Sequence, residues 1–268
     1  MESFHKLLSN EQSFDALFCT VGRLTDGTFY YNKEFVEDPI YNHFVIDDNV
    51  FSLSSSSLDP RIETMLLNLR EEARKSNIAI SIFVEDFWPK NIDIEEELIQ
   101  NGFRIGEKME IFLKKLSREQ NETILESHRD LSVFKTSDID LWNRAFIDSF
   151  AIPDTWTKEL EKRLTSLVQK NKESSTLLVA KDQDASFGSG CLLLHRFPRN
   201  IMGVYCVGTI PSMRGQGVAR AMLKFSEKFA LDEGCDNMTL QTMVMDNVSP
   251  MYLKMGYELQ FRRNVFQN

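Results

Sequence analysis

The chain has 268 residues, more than one hydrophobic core usually serves, so two domains are expected. Hydrophobic residues make up 42% and charged residues 26%, which excludes a disordered or fibrous chain, and a formal net charge of -9 opposes general attraction to phosphate backbones. Four cysteines (Cys19, Cys191, Cys206, Cys235) lie far apart without C-x-x-C spacing, and His5, His43, His128 and His195 are scattered, so neither disulfides nor a metal site is expected. The start, Met1-Glu2-Ser3-Phe4-His5, has no basic region followed by an apolar run, and no stretch approaches the roughly 18 apolar residues of a membrane span. The expected location is the cytoplasm, with no nucleic-acid or membrane partner.

In the first half, residues 49–53 read as a short strand. Residues 59–76 then read as a helix, opened by Asp59-Pro60 and carrying Ile62, Met65, Leu66 and Leu69 at helical spacing. Alternation over 78–84 predicts a strand, 92–100 a short acidic helix closed by Asn101-Gly102, and 109–116 a further strand. The polar segment 117–126 has no clear period and marks the expected domain boundary.

Beyond it, 131–134 reads as a strand and 137–150 as a helix whose Ser-Asp-Ile-Asp start has the composition of a cap. A second helix follows Pro153, from about 155 to 170, and the apolar runs 175–181 and 188–195 form an antiparallel hairpin. Residues 203–209 give a strand, a glycine-rich turn opens a helix ending near Gly234, and 237–245, 248–255 and 258–266 read as strand, helix and strand. The adjacent Arg262 and Arg263 are expected at a solvated strand edge. The fold class is α/β.

Chemistry concentrates in Val207–Ala219, where the turn stands between a strand and a long helix, the setting of an anion site. Gly215 and Gly217 allow successive backbone N–H groups to converge on a diphosphate at the positive helix end. A Walker-type loop is excluded because G-x-x-x-x-G-K-[ST] is absent. A dinucleotide fingerprint fails as well: it needs a small residue where Arg220 stands and an acid after the next strand, whereas Asp236 precedes it.

Arg214-Gly215-Gln216-Gly217-Val218-Ala219 instead matches the R/Q-x-x-G-x-G/A signature of the GNAT superfamily of N-acetyltransferases, and Thr209-Ile210-Pro211 also resembles its members. Pro250-Met251-Tyr252-Leu253-Lys254-Met255-Gly256-Tyr257 resembles the family's Y-x-K-x-G-F segment. The resemblance spans about 131–266 and implies two central parallel strands that splay apart, here 203–209 and 237–245, with acetyl-coenzyme A in the gap. It assigns Val207, Gly208 and Thr209 to the pantetheine arm and Arg214, Gly215, Gln216, Gly217, Val218 and Ala219 to the diphosphate.

Tyr252 has two readings, a ring packed for its bulk or a general acid at the coenzyme sulfur, and its place in the motif favours the acid. Asn247 stands either for a polar contact to the coenzyme or for plain helix capping. Relatives often carry a glutamate in the strand before the loop, but Met202-Gly203-Val204-Tyr205-Cys206 offers no carboxylate, so no base is assigned. The backbone N–H of Thr209 is the nearest candidate to polarise the thioester carbonyl. Residues around Phe150–Trp156 face either the acceptor or the core.

The first half ends in Leu98-Ile99-Gln100-Asn101-Gly102-Phe103 and a strand, resembling the closing segment of the same superfamily, but no glycine stands between Phe51 and Ile62. The expectation is therefore two tandem GNAT-like domains, each a mixed, splayed sheet flanked by helices: a degenerate one at 1–116 and a catalytic one at 127–268. The serine run 54–57 reads either as a phosphate-binding loop in its own right or, the favoured reading, as a flexible polar connector. The implied activity is transfer of acetyl from acetyl-coenzyme A to a primary amine of a small molecule or peptide, in a monomer or homodimer. A non-catalytic sensor or interaction module that binds acetyl-coenzyme A is the alternative.

Overall fold

A computed structural model describes residues 2–36, 38–47, 50, 59–87, 94–118, 131–171, 173–182, 188–198 and 200–268. The elements run α1 (Glu2–Phe18), β1 (Thr20–Leu24), β2 (Gly27–Tyr31), β3 (Asn42–Ile46), α2 (Asp59–Ser76), β4 (Ser81–Glu85), α3 (Ile94–Gln100) and β5 (Arg104–Lys115). They continue with β6 (Leu131–Thr136), α4 (Ile139–Phe150), α5 (Thr157–Lys170), β7 (Ser175–Asp182), β8 (Gly190–Arg196) and β9 (Ile201–Thr209). The last are α6 (Val218–Asp232), β10 (Asn237–Met243), α7 (Ser249–Lys254) and β11 (Glu258–Gln267). Among the described residues no helix is long and apolar enough to cross a membrane. The serine run 54–57, most of the strand expected at 49–53 and the boundary segment beyond Arg118 lie outside the described residues.

Two compact units interleave along the sequence. One comprises Met1–Leu17 and Leu113–Gln241, the other Phe18–Phe112 and Thr242–Asn268. The units therefore differ from a single cut at 117–126: α1 belongs with the second half of the chain, and α7 and β11 belong with the first.

In the unit that holds the glycine-rich turn, the strand order is β6-β7-β8-β9-β10, antiparallel as far as β9 and parallel between β9 and β10. A parallel pair needs a crossover, and α6 supplies it. The α4 helix starts where the Asp138 carboxylate accepts the Leu141 N–H at 3.0 Å. It buries Trp142, Ala145 and Phe146, and the Trp142 indole N–H donates to the Leu192 carbonyl at 3.0 Å.

The sequence pattern does not single out α1 because its buried face mixes polar with apolar residues: Asn10 is fully buried and Glu11 and Asp15 are nearly so, alongside Leu7, Leu8, Phe14 and Phe18. Those polar groups have specific partners. The Asn10 amide donates to the His195 carbonyl at 3.2 Å and accepts the Tyr205 hydroxyl at 2.6 Å, while Phe14 stacks on Tyr205 at 3.6 Å. Gly203 must be glycine because a Cβ there would run into the Asn10 side chain and the Tyr205 ring.

The other unit has the order β1-β2-β3-β4-β11-β5, with β1-β2-β3 antiparallel, β3 and β4 parallel, and β4 and β11 antiparallel. Here α2 makes the crossover and buries Ile62, Met65, Leu66 and Leu69, the four positions its period singled out. Each unit thus leads antiparallel strands into a parallel pair joined by a helix, β3-α2-β4 in one and β9-α6-β10 in the other, as a tandem fold requires.

The expected solvated edge at Arg262-Arg263 is corrected here. β11 is an interior strand, and Arg263 is 1% exposed, donating to the Glu85 carboxylate at 2.9 Å and lying over the Phe83 ring at 4.4 Å. Its neighbour Arg262 pairs with Glu110 at 3.0 Å.

Candidate functional site

The parallel register of β9 and β10 pairs Ile201–Val204 with Asn237–Leu240, and no pair follows Val204–Leu240 although β9 runs on to Thr209. On its other edge β9 remains matched to β8, with Gly208 opposite Cys191 and Thr209 opposite Gly190. Between these stretches the register slips: Tyr205 faces Leu193 and Gly208 faces Cys191, so β9 carries one residue more than β8. That is a β-bulge, and Cys206 within it takes φ +56. A bulge turns its strand, which gives β9 a physical reason to leave β10 after Val204.

β9 ends at Ile210, and a tight turn at Pro211–Met213 leads into the glycines. Gly215 takes φ +77 with nothing within 4 Å of a would-be Cβ, and Gly217 takes φ +83 at the N-cap of α6. Both angles lie in the left-handed region that favours glycine. No side chain caps this helix, and its first internal bond runs from the Ala221 N–H to the Gly217 carbonyl at 2.9 Å. By helix geometry the N–H groups of Val218, Ala219 and Arg220 come before that bond, at the positive end of the α6 dipole. Open space, permissive backbone and uncapped donors suit a diphosphate.

Arg214 does not extend away from the turn. Its guanidinium donates to the Ser149 carbonyl at 2.9 Å and to the Thr209 carbonyl at 3.3 Å, clamping the last turn of α4 onto the end of β9. The Gln216 amide donates to the Ser212 carbonyl at 3.0 Å and closes the turn on itself. Over the strand end the fit is tight: a Cβ on Gly208 would stand 2.7 Å from the Ser149 Cβ and 2.9 Å from the Phe150 ring. Phe150 is 46% exposed and Trp156 is half-buried, so neither is core, whereas Trp142 and Phe146 are.

In the other unit Tyr252, on α7, is buried against Phe112 at 5.8 Å and Tyr257 at 6.0 Å. Burial, with the Asp246 carboxylate adding to it, pushes its phenol up to about 12. The group stays a proton donor throughout the physiological range. Asn247 takes φ +52 and ends the turn Val244–Asp246. Asparagine tolerates that conformation, which accounts for the residue type without a ligand contact. The N-cap of α7 is Val248, so Asn247 does not cap that helix.

β9 holds no carboxylate in any of its nine residues. Burial pushes the Cys206 thiol up to about 12, which removes it as a nucleophile near neutrality. His195 is buried, with Ser13 and Ser175 hydroxyls each 2.9 Å from a ring nitrogen, and burial lowers it to about 4. Among the described residues no group of histidines, cysteines and carboxylates is arranged to hold a metal. The sequence reading missed Ser149, a plain helical serine until the fold sets it against Gly208.

The model of the acetyltransferase (GNAT) family matches residues 139–257. No curated protein is similar enough in sequence to match. Among solved structures, the GCN5-related N-acetyltransferase from Kribbella flavida superposes with a TM-score of 0.71 at 11% identity, over 98% of this chain and 94% of that one. The one from Sphaerobacter thermophilus gives 0.71 at 11% identity, over 99% and 91%. A tandem GNAT protein from the clavulanic acid biosynthesis pathway gives 0.60 at 9% identity, over 92% and 80%. At such identities the structural likeness establishes the fold. The glycine turn and the parted parallel strands both lie inside the stretch 139–257 that matches the GNAT acetyltransferase family.

Proposed function

We propose that the chain is an N-acetyltransferase that moves an acetyl group from acetyl-coenzyme A to a primary amine of a small molecule or peptide. The observation that carries this reading is the uncapped, glycine-led start of α6 beside the parting of β9 from β10. Arg214, Gly215, Gln216, Gly217, Val218 and Ala219 would hold the diphosphate, and Val207, Gly208 and Thr209 would receive the pantetheine arm as an added strand. Arg214 contributes by fixing the turn, since its guanidinium is spent on carbonyl groups.

The chemistry is direct attack. The amine lone pair forms a C–N bond at the thioester carbonyl carbon, the C–S bond breaks, and the sulfur leaves with the electron pair as a thiolate while the nitrogen gives up a proton to water. A protonated Cys206 near neutrality supports attack without an acyl-enzyme. Tyr252 is the proposed donor to the departing sulfur. With its phenol near 12 and a free thiol near 8.5, complete transfer is uphill by about 5 kcal/mol, so Tyr252 acts by hydrogen bonding to the developing negative charge. Location in the cytoplasm and a cationic acceptor steered by the acidic chain belong to the same proposal.

Isothermal titration of the full chain with acetyl-coenzyme A, beside Gly217→Trp, tests it. Binding near one equivalent by the wild type and none by the variant is expected, because the indole blocks the diphosphate. No binding by either protein would sink the acetyltransferase reading.

A further inference from the structure

The last turn of α4 contains a polar group with no structural role. Ser149 is 5% exposed, and its hydroxyl has no hydrogen-bond partner. A helical serine can satisfy itself on the carbonyl four residues back, as Ser226 does on Met222 at 2.8 Å, but Ser149 does not. Buried hydroxyls are almost always paired, so an orphan beside a binding groove points to a ligand. This one stands 2.9 Å from the Cβ position of Gly208, over the strand end Val207–Thr209. The Arg214 bonds to the carbonyls of Ser149 and Thr209 hold helix and strand in that arrangement, so the hydroxyl is fixed before anything binds.

Resting on the acetyl-coenzyme A reading, we propose that the Ser149 hydroxyl donates a hydrogen bond to the thioester carbonyl at the end of β9. Through it the chain distinguishes acylated from free coenzyme. The amides of the pantetheine arm find partners on the strand backbone, as any added strand does. A carbonyl oxygen accepts two hydrogen bonds, so a side-chain donor beside Gly208 would add to the Thr209 backbone N–H at the thioester. Free coenzyme A has no such carbonyl and gains nothing from the hydroxyl.

The test is titration of full-length wild type and Ser149→Ala with acetyl-coenzyme A and, separately, with coenzyme A, together with the thermal midpoint of each protein. Ser149→Ala should shrink the preference for acetyl-coenzyme A by about tenfold while leaving the coenzyme A affinity unchanged. Its midpoint should stay level or rise, because the deleted hydroxyl has no partner in the fold. An unchanged preference overturns the proposal, as does a parallel loss of both affinities with a lowered midpoint, which marks a structural serine. If the wild type binds neither ligand, the acetyltransferase reading itself has failed, and that outcome is read without the variant.

Discussion

Acidification from pH 7 to pH 4 should destabilise the protein through His195, by an amount that follows from its surroundings. The imidazole is 2% exposed, held between Ser13 and Ser175, and burial lowers its pKa from 6.5 to about 4. The unfolded chain therefore takes up this proton before the folded one does. The stabilising contribution of a neutral His195 is complete above pH 6.5 and disappears as pH falls towards 4. A gap of 2.5 units, from 6.5 less 4, corresponds to about 3 kcal/mol at ~1.36 kcal/mol per unit, of which about 2 kcal/mol is lost by pH 5. For a chain of this size that lowers the thermal midpoint by roughly 6–12 °C. The assay is urea or thermal unfolding at a series of pH values for the wild type and for His195→Gln, which cannot titrate but still offers an amide to the serines. The difference in stability between the two proteins should narrow by about 3 kcal/mol between pH 7 and 4. Parallel pH profiles would refute the reasoning, since carboxylates elsewhere act equally on both.

Further outcomes concern Tyr252 and Arg263. Tyr252→Phe should retain acetyl-coenzyme A affinity while lowering kcat by about 10²-fold, as loss of a donor to developing charge does, and stopped turnover together with lost affinity would argue for packing alone. In the wild type no alkaline limb below about pH 12 should be traceable to Tyr252. Arg263→Met leaves the Glu85 carboxylate buried without its cation and should cost about 3–5 kcal/mol in denaturant unfolding. Adding Glu85→Gln should recover part of that loss, and simple additivity of the two substitutions would contradict direct pairing.

Much of the site could be read directly because it is local chemistry. Gly215 and Gly217 announce a backbone that L side chains resist, and the strand before and helix after them supply context within a few residues. The helix at Asp59–Ser76 was equally plain, since its apolar period meets one core along its whole length. By contrast α1 was invisible: its buried Asn10 is satisfied by Tyr205 and the His195 carbonyl, partners that only the fold supplies. The β1–β2 hairpin was also passed over: its two turn residues are Thr25-Asp26, since Gly27 already pairs with Leu24, so the Asp-Gly dipeptide does not occupy the two central turn positions where it signals a hairpin.

The sequence by itself determined the fold class, the anion-binding turn and the family motifs, because each depends on residue types a few positions apart. Only the tertiary structure decided that α1 and β11 join the unit of the opposite half, that Arg263 is buried with Glu85 and that Ser149 faces Gly208. Those outcomes rest on pairings across more than fifty residues, where burial, strand register and charge neutralisation are settled together and no local pattern carries the information.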